Sequence, residues 1–389
     1  METDLGEMNH GFYFNGIQAS HAEEEDEEEN QDQNSDDDSE GIHLNGNSLH
    51  TLLSINVCID DGSRVLSPIT GDSLSDDVIQ ALVPLCARLY SIYQVEGTDT
   101  KVTYVGSAFK VSKDVVCTAS HCVSQEKLSD KYPLKKLTLV STHVAFKPDT
   151  TLVSAKTLIN DPCAFKFKPI PKPDYPSPVK QIKFGYTKDQ IFVDWKHPID
   201  FCFLLIDEYE SEKILEFQKI PYACPEMPNQ MPNASCMVIG YPAYISSKDF
   251  YEKYPSDDFR NHYAVVKQAF GNFNRRTVSL GTISQALCEG FIPHNAPTLK
   301  GSSGGIYYVG SFSSKQRRFH GVHVGGKTAI SNNFVIPTDS HDFVYVYFHT
   351  MFEALKDQVS VEEIYSYYES NKNFLDSLLP KLPSFFHSQ

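Results

Sequence analysis

Between Arg88 and Pro337 the chain breaks into a dozen short segments rich in β-branched and aromatic residues. In order they read RLYSIYQV, KVTYVGSAFKV, DVVCTAS, LTLVSTHVAF, TLVSAKTLI, DFCFLLID, SCMVIGYPAY, HYAVVKQAF, TVSLGTISQAL, GGIYYVG, FHGVHVGG and NNFVIP, with Gly, Pro and Asn-Asp punctuation between them. Segments of this length and composition pack well on a pleated, half-buried surface. A dozen of them in succession must hide their edges by closing into barrels or stacking as sandwiches. The expected fold class is therefore an all-β core.

The flanks read differently. LHTLLSINVCID (Leu49–Asp60) has strand character. DDVIQALVPLCARLY (Asp76–Tyr90) has helix-compatible apolar spacing with acids at its start. DPCAFKFKPIPKPDYPSPVKQ (161–181) is rich in Pro and Lys and reads as an inserted surface loop. Beyond the strands, Ser340–Asp357 and Ser360–Leu379 turn helical, the second opening on a capping box of Ser360 and Glu363. The expected organisation is an acidic tail over 1–41, an extension with a short helix over 42–87, a main domain over 88–357, and a helical extension over 358–389.

Charge is concentrated at one end. The whole chain carries −16, yet residues 1–40 hold 15 Asp and Glu with no Lys or Arg, so the remainder sums to −1. Like charges at that density repel, and few apolar groups offset the entropy of ordering them; the tail is expected to be disordered and solvated. The near-neutral body leaves no electrostatic footprint for nucleic acid. No run of about 18 apolar residues is present, so no membrane partner is expected. The N-terminal residues lack the basic and apolar pattern of a secretory leader. Nine scattered cysteines, without a CxxC pair or metal-ligand spacing, read as free thiols. The expected setting is intracellular, in the cytoplasm, with neither metal nor other cofactor.

The run GSSGG (Gly301–Gly305) poses the chemical question. A serine hydroxyl is a weak nucleophile near neutral pH and needs a base beside it. TASHCV supplies His121 in a small-residue turn after a strand, and DFCFLLI supplies Asp200 immediately before one. Asp194 and Asp161 compete for the acid's place. Glycines around Ser303 suit a loop whose N–H groups must turn toward a developing negative charge.

TASHCV, DFCFLLI and GSSGG, in that order across this strand pattern, resemble the three active-site segments of chymotrypsin-fold (trypsin-like, PA-clan) serine peptidases. The resemblance spans roughly residues 88–355. It implies two six-stranded β-barrels and a serine endopeptidase acting on protein or peptide substrates, with no cofactor. Carried over, His121 is the general base, Asp200 its orienting carboxylate and Ser303 the nucleophile, with an oxyanion hole from the N–H groups of Gly301 and Ser303. Two departures exclude the secreted digestive branch. Ser302 stands where an acid would pair with a newly cut N-terminus, and Gly106, 15 residues before His121, stands where the partner of Cys122 is expected. PTLKGSSGG with Thr298, and FHGVHVGG with His323, are similar to glutamyl endopeptidases and picornain-like peptidases. There the Thr and His contact a Glu or Gln side chain before the cleaved bond. His320 is the alternative pocket residue. A catalytically silent protein-binding module of the same fold remains the other reading.

Overall fold

The computed structural model describes residues 57–60, 65–66, 73–74, 77–124, 126–128, 135–146, 161, 163–171, 200–226, 228, 231–254, 263–284, 291–310, 317–326 and 330–350. Six strands form the first barrel: β1 (Cys86–Val95), β2 (Lys101–Lys110), β3 (Val115–Thr118), β4 (Lys136–Ala145), β5 (Ala164–Pro169) and β6 (Cys202–Ile206). Their neighbour order is β1-β2-β3-β6-β5-β4, and β4 returns to pair with β1, which closes the barrel. All of these pairs are antiparallel.

The second sheet repeats the plan with β7 (Ser235–Gly240), β8 (Thr277–Thr282), β9 (Ile292–His294), β10 (Ile306–Val309), β11 (Gly321–Gly326) and β12 (Asn333–Pro337). Here the order is β7-β8-β9-β12-β11-β10. The β8–β9 seam is a single bridge, Ile283 to His294, flanked by Ser284 N–H to Pro293 O at 3.0 Å and Asn295 N–H to Thr282 O at 3.1 Å. Two sheets with the same strand order, each meeting itself, agree with the expected double barrel. Closure removes sheet edges that would otherwise template aggregation. One apolar core runs through both, from Phe109, Phe165 and Phe203 to Met237, Ile239 and Ile306.

Two of the twelve strands, β5 and β9, lie outside the segments expected, and one expected strand is a helix. Within the Pro-rich stretch 161–181, residues 164–169 are β5, with Phe165 and Phe167 buried and Lys168 exposed. HYAVVKQAF is a helix, Tyr263–Ala269, whose Val266 and Ala269 are buried one turn apart. TLVSAKTLI, the acidic tail and the segments beyond 350 lie outside the described residues. The expected helix at Asp76–Tyr90 is short. It comprises α1 (Asp77–Leu82) and a 3₁₀ turn, Val83–Leu85, in which Pro84 has no N–H to continue the ladder, and β1 starts at Cys86. Three further helices are α2 (Ser211–Lys219), α3 (Ser247–Lys253) and α4, the Tyr263–Ala269 helix just described. The last helix, α5 (His341–His349), is N-capped by the Ser340 hydroxyl, which accepts from Phe343 N–H at 3.1 Å. Its Phe343 ring sits 5.0 Å from Phe201, just before β6 of the first barrel, and 5.9 Å from Phe319, two residues before β11 of the second, so α5 packs against segments leading into both. Among the described residues no helix is long and apolar enough to cross a membrane.

The extension is built into the second sheet. Val57–Asp60 pairs antiparallel with β8, Val57 opposite Ser279. Asp60 and Arg276, both buried, form a paired carboxylate–guanidinium contact; Arg276 also donates to Cys86 O at 3.1 Å. Removing one partner of a buried pair strands the other charge away from water. Asp60→Ala should therefore cost about 3–5 kcal/mol of folding stability, read as a lower urea midpoint at unchanged slope.

Candidate active site

His121 and Asp200 are 79 residues apart in sequence but adjacent in space, because the strands that carry them are paired. Thr118 at the end of β3 faces Cys202 at the start of β6. His121 follows β3 in the 3₁₀ turn Ser120–Cys122, and Asp200 precedes β6 by two residues. The carboxylate then holds His121 twice, accepting from its backbone N–H at 2.9 Å and meeting ring Nδ1 at 2.7 Å. Ser120 N–H adds a bond to Asp200 O at 3.2 Å. A carboxylate only accepts, so Nδ1 carries a proton, and in the neutral ring Nε2 presents its lone pair. Burial, the largest single influence, disfavours the imidazolium, but the charge and hydrogen bond of Asp200 together with the neighbouring Cys122 outweigh it and hold the His121 pKa above its usual range. His121 Nε2 is buried and has no hydrogen-bond partner among the described residues.

The GSSGG loop leads into β10. Gly301 and Gly304 have φ of +91° and +86°, the left-handed region where side chains are disfavoured. A Cβ on Gly304 would lie 2.1 Å from Ser107 O, and one on Gly301 2.6 Å from Ala243 N. Ser107, wholly buried in β2, fastens the loop to the first barrel. Its N–H donates to Ser303 O at 2.8 Å, and its hydroxyl donates to Gly301 O at 2.8 Å while accepting from Tyr241 N–H at 2.8 Å. Thr118 completes the anchor by donating to Ser107 O at 2.7 Å. The Cys122 thiol, one residue beyond His121, also points at Ser303 O, at 3.8 Å. Thus His121 and Ser303 share one end of the barrel junction. The Ser303 hydroxyl donates to Val324 O at 3.3 Å and not to His121.

Within the run 301–305, three amides are committed: Ser302 to Leu299 O at 3.0 Å, Gly304 to His323 O at 2.6 Å and Gly305 to Ser302 O at 3.0 Å. Among the described residues no acceptor takes the N–H of Gly301 or Ser303. These are the two donors expected to face an oxyanion.

Thr298 and His323 are both buried. Asn333 spends its amide N–H groups on Ala296 O at 2.8 Å and Ile330 O at 2.6 Å, which turns its oxygen toward Thr298. The Thr298 hydroxyl donates to that oxygen at 2.7 Å. Toward a substrate side chain Thr298 is left as an acceptor. His323 is uncharged: burial, reinforced by repulsion from His121, pushes its pKa down to about 3. Behind it, His294 lies 5.5 Å away, ring to ring. His320 is committed elsewhere, its Nδ1 accepting from Val309 N–H at 3.0 Å and its Nε2 lying 3.7 Å from the Glu226 carboxylate.

Of the competing acids, Asp161 accepts from Cys163 N–H at 2.9 Å, and Asp194 lies outside the described residues. A Cβ on Gly106 would stand 2.9 Å from Cys122 Sγ, so the position lacking the partner cysteine does face that thiol. Seven of the nine cysteines, Cys122 among them, form no disulfide, and no group of three potential metal ligands occurs among the described residues. Ser107, Thr118 and Asn333 escape the sequence reading. Each is a small polar residue inside an apolar strand segment, the one signal that they bond to something specific.

No protein-family model matches the sequence, and no curated relative matches it. Solved structures with similar chain paths include three proteases. The Rv3671c protease of M. tuberculosis, in its inactive form, is 13% identical, covers 71% of this chain and 93% of its own, and has a TM-score of 0.38. A serine endoprotease from Yersinia pestis is 14% identical over 74% of this chain and 68% of its own, TM-score 0.38. The protease Anisep from Arthrobacter nicotinovorans is 14% identical over 69% and 95%, TM-score 0.41. Likeness at this level carries nothing about chemistry; the all-β double-barrel assignment rests on the strand order of the chain itself.

Proposed function

We propose that this chain is a serine endopeptidase using His121, Asp200 and Ser303. The observation that carries the reading is the two-point grip of Asp200 on His121, 2.9 Å to the backbone and 2.7 Å to Nδ1, at the barrel end that also holds the GSSGG loop. A buried carboxylate that fixes one tautomer leaves Nε2 as the base. In the reaction Ser303 Oγ swings from Val324 O to His121 Nε2, gives up its proton there and bonds to the scissile carbonyl carbon. The carbonyl oxygen takes the negative charge against the N–H groups of Gly301 and Ser303. His121 returns the proton to the leaving amine nitrogen, and water then hydrolyses the acyl-Ser303 ester by the same route. The Ser303 bond to Val324 O favours the second reading, a silent binding module. A fluorophosphonate that labels wild type but not Ser303→Ala excludes it; absence of labelling with an intact fold supports it. With Cys122 and six further cysteines outside any disulfide, strong reductant should leave turnover unchanged in a peptide-cleavage assay.

The same site supports Gln before the cleaved bond over Glu. A Gln carboxamide offers an acceptor to an imidazole N–H and a donor to the Thr298 oxygen; a carboxylate would face that lone pair and an uncharged His323. Sites built to hydrogen-bond one side chain discriminate by up to about 10⁴. His323→Ala should accordingly lower kcat/KM for Gln peptides about 100-fold or more while changing Leu peptides by less than about threefold. Since His323 gains a proton only near pH 3, Gln cleavage should show no limb from it between pH 5 and 8. Glu cleavage should rise as pH falls toward the carboxyl's own range and the side chain becomes neutral. A peptide-library profile dominated by Arg, Lys or aromatics would overturn the pocket and leave the triad standing.

A further inference from the structure

Ser302 removes the acid that would lock this loop to a cut N-terminus, so something else must hold the oxyanion donors in place. A trans peptide sets its C=O and N–H on opposite sides, so whatever holds the carbonyl of residue 300 aims the N–H of Gly301. That holder is Ala243, whose N–H donates to Lys300 O at 2.7 Å. The segment carrying Ala243 is pinned on both sides by one residue. Asn274 N–H donates to Pro242 O at 2.9 Å, and Asn274 Oδ1 accepts from Tyr244 N–H at 3.1 Å. Asn274 is in turn gripped from the first barrel by Arg88, a fully buried side chain of β1 that donates to its Oδ1 at 2.9 Å and its carbonyl at 3.4 Å.

The backbone around Asn274 is unusual. Gly271, Asn272, Phe273 and Asn274 take φ of +60°, +60°, +65° and +56° in succession. L-residues adopt this region singly, rarely in runs, and a bulky Phe least of all. Such a turn persists only where its surroundings over-determine it, and residues held this way cluster at functional sites. Phe273 is buried beside α3 and α4, Asn272 N–H donates to Lys267 O at 2.8 Å, and Ile59 packs against Gly271.

We propose that Asn274, clamped by Arg88, is a positioning residue for the oxyanion hole: through Pro242–Tyr244 and the Lys300 carbonyl it keeps the Gly301 N–H aimed at the reacting carbonyl. It touches no substrate. This rests on the peptidase reading, and the test keeps the two separable. Asn274→Gly keeps the left-handed backbone and deletes only the side-chain acceptor; Asn274→Asp restores an acceptor of the same size beside Arg88. Removing an oxyanion donor outright costs about 10²–10³ in kcat, so loosening one should cost about 10–100-fold. The expected result for Asn274→Gly is that fall in kcat with KM within about twofold and the melting temperature near wild type, with Asn274→Asp recovering to within about threefold of wild-type kcat. Hydrogen exchange of the Ala243 amide gives a readout that needs no activity: protected in wild type and Asn274→Asp, exposed in Asn274→Gly. Wild-type kcat in Asn274→Gly, failure of Asn274→Asp to rescue, or unchanged Ala243 protection overturns the proposal. An inactive wild type whose Ala243 protection still follows Asn274 would sink the peptidase reading and leave the positioning chain standing.

Discussion

Ser303→Ala is expected to lower kcat on a Gln-containing peptide by about 10⁶ while leaving KM and the melting temperature nearly unchanged. The hydroxyl makes one hydrogen bond, to Val324 O at 3.3 Å, so its loss costs the fold little. Chemically the loss is large, because the variant removes the nucleophile itself. Ser302 has its N–H on Leu299 O and accepts from Gly305 N–H, which fixes it as the turn residue of the loop. His121→Ala should fall by a similar factor, and the double variant little further, because base and nucleophile act as one unit. What survives in each should be the contribution of the Gly301 and Ser303 amides alone, roughly 10³–10⁴ over water. A folded Ser303→Ala protein with substantial turnover would remove Ser303 from the mechanism. Near-additive losses in the double variant would show that His121 and Ser303 act separately.

The strand pattern was largely legible because barrel strands announce themselves by β-branched and aromatic runs. Where the reading slipped, two periodicities were present and the weaker cue was followed. In AFKFKP the alternation of Phe165, Lys166, Phe167 and Lys168 is a period of two, and the structure buries both Phe rings. Its prolines drew it toward a loop, yet Pro169 ends the strand, where a missing N–H is tolerated. In HYAVVKQAF the Val-Val pair suggested a strand, while Tyr263, Val266 and Phe270 follow the helical spacing that buries Val266 and Phe270. The three-residue β9, Ile292–His294, is too short to carry any period, although it makes the seam of the second barrel. For the candidate site, residue type and order single out His121, Asp200 and Ser303; the structure sets Asp200 against His121 at 2.7 Å and the Cys122 thiol 3.8 Å from Ser303 O. Orientation was beyond reach. The direction of the Thr298 proton follows from where Asn333 spends its amide, 35 residues away. The grip of Ser107 on the loop spans 194 residues. Neither long-range hydrogen bond leaves a local pattern in the chain.

Asp200→Asn is the second large effect, about 10⁴ in kcat with the fold retained. The carboxylate does two things that an amide does only in part. Its Oδ1 accepts from His121 N–H at 2.9 Å, a bond that the Asn oxygen reproduces, so the turn Ser120–Cys122 should hold and the melting temperature should move little. Its Oδ2 meets Nδ1 at 2.7 Å, and there Asn presents an N–H. The imidazole then keeps its lone pair on Nδ1 to accept that N–H and moves its proton to Nε2, the atom that must take the Ser303 proton. The pH profile separates this from simple loss of charge. In wild type the carboxylate holds the His121 pKa above its usual range, so kcat/KM should rise with pH as the imidazolium deprotonates. Without the carboxylate the main opposition to burial is gone, and burial favours the neutral ring. The acid limb of Asp200→Asn should therefore shift to lower pH, while its plateau stays about 10⁴ below wild type at every pH. A variant whose limb stays in place, or whose plateau recovers at high pH, would show that Asp200 is not the group that sets the His121 tautomer. A matching loss in Asp194→Asn with Asp200→Asn unaffected would move the acid to that residue.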